Sequence, residues 1–210
     1  MAGAVFICSI FFLYPEIWNF FSKLGQYEEL VVGIVGSFLI GIIIQEIGGW
    51  IDRNITHVNE EMLSTFLMKN SDIIGNVEKK KRYRKYGREI LESGGLTYNK
   101  EFTNDQCMYI YGFCCYYIEI RGKHNKLEKM RALYDMSRTL WVLFIILFFI
   151  QVGKLFFYPN VTIINGDIIL LLINIFFIRV LAIRMRKSMI NKIRMTMGMY
   201  EACVNMEKQK

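Results

Sequence analysis

The chain has 210 residues, of which 53% are hydrophobic and 21% charged, with a formal net charge of +7. That mixture suits neither a purely soluble domain nor a compact transmembrane bundle, because the two characters are segregated. Residues 2–15, 30–50, 139–158 and 161–183 are strongly apolar, while 51–138 holds most of the charge.

A membrane span needs about 20 mostly apolar residues to cross roughly 30 Å of hydrocarbon. The first apolar stretch, AGAVFICSIFFLYPEIWNFF, has the short run of a signal peptide, but no basic region precedes it and no A-x-A site follows. It reads as a spanning helix kinked near Pro15, with Trp18 at an interface. LVVGIVGSFLIGIIIQEIGGW is the second span. Gly33, Ser37 and Gly41 follow small-x-x-x-small spacing there, and Gln45 continues the same face, beside Glu46. Small residues let helices approach closely inside lipid. Such a face is either a packing seam or the wall of an oligomeric pore.

The charged segment follows. Ile55, Val58, Met62 and Phe66 recur near helical spacing, which predicts a helix over 51–69 leaving the membrane. After a turn at Asn70 to Gly75, a second helix is expected over 77–92, stopping at Gly94-Gly95. It contains KKKRYRKYGR, residues 79–88, with seven cations in ten positions. On this helix Tyr83, Tyr86 and Ile90 share one face, the inward one, while Lys81, Lys85 and Arg88 form another stripe beside Lys80 and Arg84. Thr103 with Gln106 forms a capping box for a third helix, QCMYIYGFCCYYIEIRG, apolar nearly all round and read as the bundle core. A strand is the alternative, given its Tyr, Ile and Phe content.

One long helix is predicted from Asn125 to Tyr158, carrying the third span, on the order of 50 Å long. The stretch VTIINGDIILLLINIFFIRVLAI makes a fourth span if Asp167 lies near one interface and Arg179 snorkels at the other. Gln151 on the third span and Asn174 on the fourth are buried polar candidates that need partners. The tail shows Met189, Ile193, Met197 and Tyr200 along one helical face. The reading is an all-α integral membrane protein with four transmembrane helices and a helical cytoplasmic domain inserted between spans 2 and 3. Its parts are 1–50 (spans 1 and 2), 51–138 (cytoplasmic domain), 139–185 (spans 3 and 4) and 186–210 (helical tail).

Orientation follows from loop charge. Segment 51–138 carries sixteen Lys/Arg against twelve Asp/Glu, and the tail after Ile183 seven against two. Loop 159–166 carries no basic residue, and loop 23–28 carries only Lys23. Both termini and the central segment are therefore expected in the cytoplasm. Five scattered cysteines make no C-x-x-C, so buried inert thiols without disulfides are expected. The sequon Asn160-Val161-Thr162 matters only in a secretory pathway.

No nucleophile-base pair, phosphate loop or metal cluster stands out, so no enzyme and no cofactor are expected. His57 and His124 read as surface or helix-end residues. For Lys79, Lys80, Lys81, Arg82, Arg84, Lys85 and Arg88 three readings compete. They form a solvated face, they meet anionic lipid, or they hold the phosphates of a nucleotide or single-stranded oligonucleotide, whose bases stack on Tyr83 and Tyr86. Lipid attraction fades over about 8 Å, and a straight 51–69 helix would carry the cluster roughly 25–30 Å away. Arg121, Lys123 and Lys126 form a second basic group, next to Lys129 and Arg131.

In layout the chain resembles the membrane effectors of bacterial anti-phage systems of the CBASS and Hailong types. The residues that carry the resemblance are GIVGSFLIGIIIQEIGGW and KKKRYRKYGR. It implies a homo-oligomeric channel in the bacterial cell membrane, in contact with lipid. It also implies a partner nucleotidyltransferase that makes the controlling nucleotide or oligonucleotide; in the Hailong type, bound DNA oligomers hold a channel closed until destroyed. The alternative is a membrane adaptor whose central domain docks a protein partner without any pore.

Overall fold

The computed structural model describes residues 2–14, 26–98, 100–122, 125–157 and 165–209, and every regular element in them is helical. The helices are α1 (Ala2–Leu13), α2 (Gln26–Ile51), α3 (Val58–Thr65), α4 (Val77–Ser93), α5 (Asn104–Ile120), α6 (Asn125–Phe157) and α7 (Asn165–Lys208). A π-helical turn, Asp52–Thr56, follows α2.

Among the described residues, three helices are long and apolar enough to cross a membrane: Leu30–Thr56, Asn125–Phe156 and Ile168–Lys208. The first helix is different. Its 12 residues span about 18 Å, short of the hydrocarbon thickness. Pro15 and Trp18, on which a kinked first span rests, lie outside the described residues, as do Lys23, His124 and the sequon at Asn160.

The chain divides into two compact units. One comprises Met1–Ile51 with Asp135–Met185, the other Asp52–Tyr134 with Arg186–Lys210. The first is the apolar unit. Its core is Ala2, Ile44, Val142, Leu143 and Leu147, flanked by Phe6, Ile40, Trp141 and Ile146. Here α1 crosses α2 at glycine: a Cβ built on Gly3 would overlap the Ser37 carbonyl and stand 2.8 Å from the Gly41 nitrogen. A polar pair lies inside this unit, where Asn174 Nδ2 donates to Gln151 Oε1 at 2.6 Å. The two amides satisfy each other in surroundings where a lone amide is costly. They border an open groove of about 470 Å³ shared with Cys8, Ser9, Leu147 and Leu170.

The second unit is the polar one. The uninterrupted 51–69 helix expected from periodicity is not present. The π-helical turn ends at His57, whose φ of 48° places it in the left-handed region, and α3 begins afresh at Val58. An αL residue cannot continue a right-handed helix. What holds the break is a buried hydrogen-bond set around Asp52. Tyr134 Oη donates to its Oδ2 at 2.7 Å and Thr56 Oγ1 to its Oδ1 at 3.1 Å. With the straight rod goes the distance argument that set the basic cluster beyond reach of lipid. His57 itself is exposed and faces Glu60 at 3.5 Å.

The remaining helices of this unit follow their sequence signals. Asn76 Oδ1 caps α4 by accepting from Lys79 N at 3.0 Å. Gly95, with φ 70°, lies just past its end. The Thr103–Gln106 capping box opens α5. Cys107, Ile110, Cys114 and Ile118 of α5 are buried, with Phe66, Leu67, Ile90 and Leu91. The C-terminal part of α7 closes the bundle with Met189, Ile193 and Met197, all at 0% exposure. Met197 Sδ lies 3.9 Å from Cys114 Sγ. One face of α5 stays uncovered, however, for Met108, Tyr109, Tyr116 and Ile120 are exposed. The helix is therefore half core and half surface.

Candidate functional site

The basic stretch KKKRYRKYGR occupies most of α4. Its inward face is Tyr83, Gly87, Ile90 and Leu91. Gly87 is required by close approach: a Cβ there would meet Ile110 Cδ1 at 3.1 Å and both Leu67 Cδ1 and Phe102 Cζ at 3.2 Å. Tyr83 is only 4% exposed, so its ring is part of the core rather than a stacking platform. Tyr86 is half-buried, edge-on to Tyr200 at 5.9 Å, and its hydroxyl reaches Asn205 Oδ1 at 3.4 Å.

The seven cations separate into two groups. Four are engaged within the unit. Lys80 Nζ donates to the carbonyls of Lys69 (3.0 Å) and Ser71, and burial, then the neighbouring Arg84, lowers its pKa. Arg82 pairs with Glu201 of α7 at 3.1 Å. Arg84 faces Glu101 at 3.6 Å, donates to Tyr98 Oη at 3.3 Å and covers the Phe102 ring. Arg88 covers the Tyr98 ring, 4.8 Å from its centre. These contacts fasten the 96–102 loop and α7 to α4. Lys79, Lys81 and Lys85 are exposed and have no ion pair among the described residues. They are the cations open to a ligand.

Of the second basic group, Arg121 is engaged as well. Arg121 pairs with Glu207 of α7 and stacks over Tyr117, whose hydroxyl donates to the same carboxylate at 2.5 Å. Lys126 is exposed, and Lys123 lies outside the described residues. One cation of each basic group thus anchors on an acid of α7, Arg82 on Glu201 and Arg121 on Glu207. Reading the tail for its apolar face passed over these acids. Their signal was that they are the only two in a segment of seven cations.

On α2, Ser37 and Gly41 lie against Gly3, whereas a Cβ on Gly33 would meet open space. Gln45 and Glu46 are exposed, with no hydrogen bond or ion pair among the described residues. No group of three His, Cys, Asp or Glu that could hold a metal occurs among the described residues. The α5 thiols are not activated: burial pushes Cys107 up to about 11 and raises Cys114 and Cys115 as well. No protein-family model, curated protein or solved structure matches the chain.

Proposed function

We propose that this protein is the subunit of a homo-oligomeric membrane channel whose polar unit takes a nucleotide or oligonucleotide ligand. The observation that carries the reading is the pair Gln45 and Glu46, exposed and without a partner among the described residues, in the apolar stretch of a helix long enough to span a bilayer. Polar side chains in a span find partners in the bundle interior, a water-filled path or a neighbouring subunit. Among the described residues one subunit supplies none of these to Gln45 or Glu46, and a ring of copies would. Residues 2–21 then complete a fourth span, and both termini lie in the cytoplasm of a bacterial cell. The role is that of an anti-phage effector, controlled by the product of a partner nucleotidyltransferase.

Dye release from liposomes carrying the purified protein tests the channel. Gln45→Leu is expected to reduce release at least tenfold while the protein stays in the membrane; undiminished release from that variant removes Gln45 from any pore.

The ligand part rests on Lys79, Lys81 and Lys85, three uncompensated cations on one helix. A short single-stranded DNA is expected to bind at low salt and to lose affinity steeply as salt rises, with a slope set by the phosphates contacted. Lys79/Lys81/Lys85→Glu abolishes the binding in a mobility-shift assay. The same loss from Lys80/Arg82/Arg84→Gln, without loss of folded structure, would place the ligand on the engaged cations instead.

The exposed row of Met108, Tyr109, Tyr116 and Ile120 favours a second reading, an adaptor that docks a protein partner on α5. Binding of DNA with a steep salt slope decides against it as the main role.

A further inference from the structure

The N-terminal end of α4 borders a cavity of about 290 Å³, lined by Ile74, Gly75, Asn76, Lys79, Tyr83 and Arg194. Arg194, from the tail helix, is the residue the sequence reading did not single out. Its Nε donates to the Ile73 carbonyl at 2.6 Å. Its Nη2 lies so close to Gly75 that a Cβ there would stand 3.0 Å away, and Gly75 has φ 61°. The guanidinium is thus laid along the backbone at the cavity edge, and its remaining donors make no hydrogen bond among the described residues.

Tyr83 supplies the second observation. The side chain is 96% buried, yet its hydroxyl makes no hydrogen bond among the described residues. Tyr83 lines the cavity, and its hydroxyl lies near Gly198 of α7, 3.7 Å from where a Cβ there would stand. Burial is the main cause that raises its pKa, with the Glu201 carboxylate next, so it remains a donor. Glu201 is itself held by Arg82 at 3.1 Å, and Asp72 gives its backbone carbonyl to Gly75 N. Neither carboxylate lines the cavity. Asn76 has already given its Oδ1 to the helix cap, which leaves its amide NH₂ as a donor.

Every side-chain polar group left over is therefore a hydrogen-bond donor: one guanidinium, one ammonium, one phenol and one amide. A neutral ligand would leave the two cations uncompensated, whereas a tetrahedral dianion accepts from all four. The positive end of α4 adds to the same field. A volume near the low end for ligand sites admits one phosphoryl group with part of its sugar.

We propose that this cavity binds a single terminal phosphoryl group, with Lys79, Arg194, Tyr83 and Asn76 as its donors. This deepens the ligand reading above, on which it rests for the source of the phosphate, and makes the cavity the point that selects a phosphorylated end.

The test uses the full-length protein in detergent, with a fluorescent hexathymidylate carrying a 5′-phosphate and a twin ending in a 5′-hydroxyl. The phosphorylated probe is expected to bind about tenfold tighter, as one or two charge-assisted hydrogen bonds imply. Tyr83→Phe removes most of that preference and leaves the hydroxyl twin unchanged, whereas Lys79→Gln removes most of it and weakens both probes. Tyr83→Phe keeps the ring in the core, so loss of folding does not confound it. As a separate readout, millimolar inorganic phosphate is expected to slow acylation of Lys79 by an N-hydroxysuccinimide ester and to spare Lys81 and Lys85. Equal binding of both twins without protection of Lys79 overturns the phosphoryl site and leaves the oligonucleotide reading standing. Protection of Lys79 with neither twin bound does the reverse. Competition by dAMP against glycerol 3-phosphate then separates a nucleotide source from a lipid headgroup; failure of both to compete again overturns the site.

Discussion

Ending the chain at Met185 is expected to unfold the polar unit while leaving the apolar helices in the membrane. Residues 186–210 supply Met189, Ile193 and Met197 at 0% exposure, with Tyr200 at 7% and Cys203 at 5%. Truncating one buried Met or Ile to Ala costs about 2–5 kcal/mol. Removing these five buried side chains together costs about as much as, or more than, the roughly 5–15 kcal/mol that holds a whole domain. The tail also carries Glu201, Glu207 and Arg194, which tie down Arg82, Arg121 and the Ile73 carbonyl. Trypsin reads the outcome directly, because residues 79–88 are dense in its cleavage sites. Cleavage there is expected to be at least tenfold faster in the truncated protein. Met197→Asp is the point-substitution equivalent, since it sets an unpaired carboxylate 3.9 Å or so from the Cys114 sulfur, at a cost of several kcal/mol. Unchanged resistance in both would mean that α7 is an appendage and that the cavity at Lys79 and Arg194 does not form.

Much of this architecture was legible in the residues themselves. Asn125 to Tyr158 contains no proline and only Gly153, and the helix runs Asn125–Phe157. Thr103 and Gln106 announced a capping box, and both of its hydrogen bonds are present. The row Met189, Ile193, Met197 and Tyr200 is buried as its spacing required. Local signals of this kind act within one turn and survive any tertiary context. The break at His57 was not legible, because it is imposed from afar: Tyr134, 82 residues away, holds the Asp52 carboxylate. The same limit applies to the basic stretch. Seven cations in ten residues read as one patch, but whether each is open depends on Glu101, Glu201 and two backbone carbonyls that no spacing rule connects to it. Tyr83 and Tyr86 were rightly placed on the inward face. That placement is itself the reason they are poor platforms for a base, a conflict between two readings of the same helix that only packing resolves.

Gly3→Ala is expected to separate α1 from α2, whereas Gly33→Ala is expected to do nothing. The two substitutions add the same methyl group to apolar helices of one unit. At Gly3 it would fall on the Ser37 carbonyl and 2.8 Å from the Gly41 nitrogen, both backbone atoms that cannot turn aside. At Gly33 it meets nothing within 4 Å. Overpacking of this kind costs about 1–3 kcal/mol where side chains can adjust, so a contact with backbone belongs at the upper end or beyond. Thermal unfolding in detergent, followed by tryptophan fluorescence, should lower the midpoint by about 5 °C or more for Gly3→Ala, with Gly33→Ala within error of wild type. Equal midpoints would mean that α1 does not pack on this seam. The contrast also bears on how copies of the chain would meet in the proposed oligomer. The centre of the small-residue face, Ser37 and Gly41, is covered by α1 of the same chain, so it is not available as the close-packing surface between subunits. Gly33 at one end of that face and Gln45 at the other remain open, and Glu46 lies beside Gln45. An oligomer built around α2 therefore meets its neighbours through those two ends. For the same reason Gly33→Leu, harmless to the single chain, is expected to weaken assembly and dye release together with Gln45→Leu.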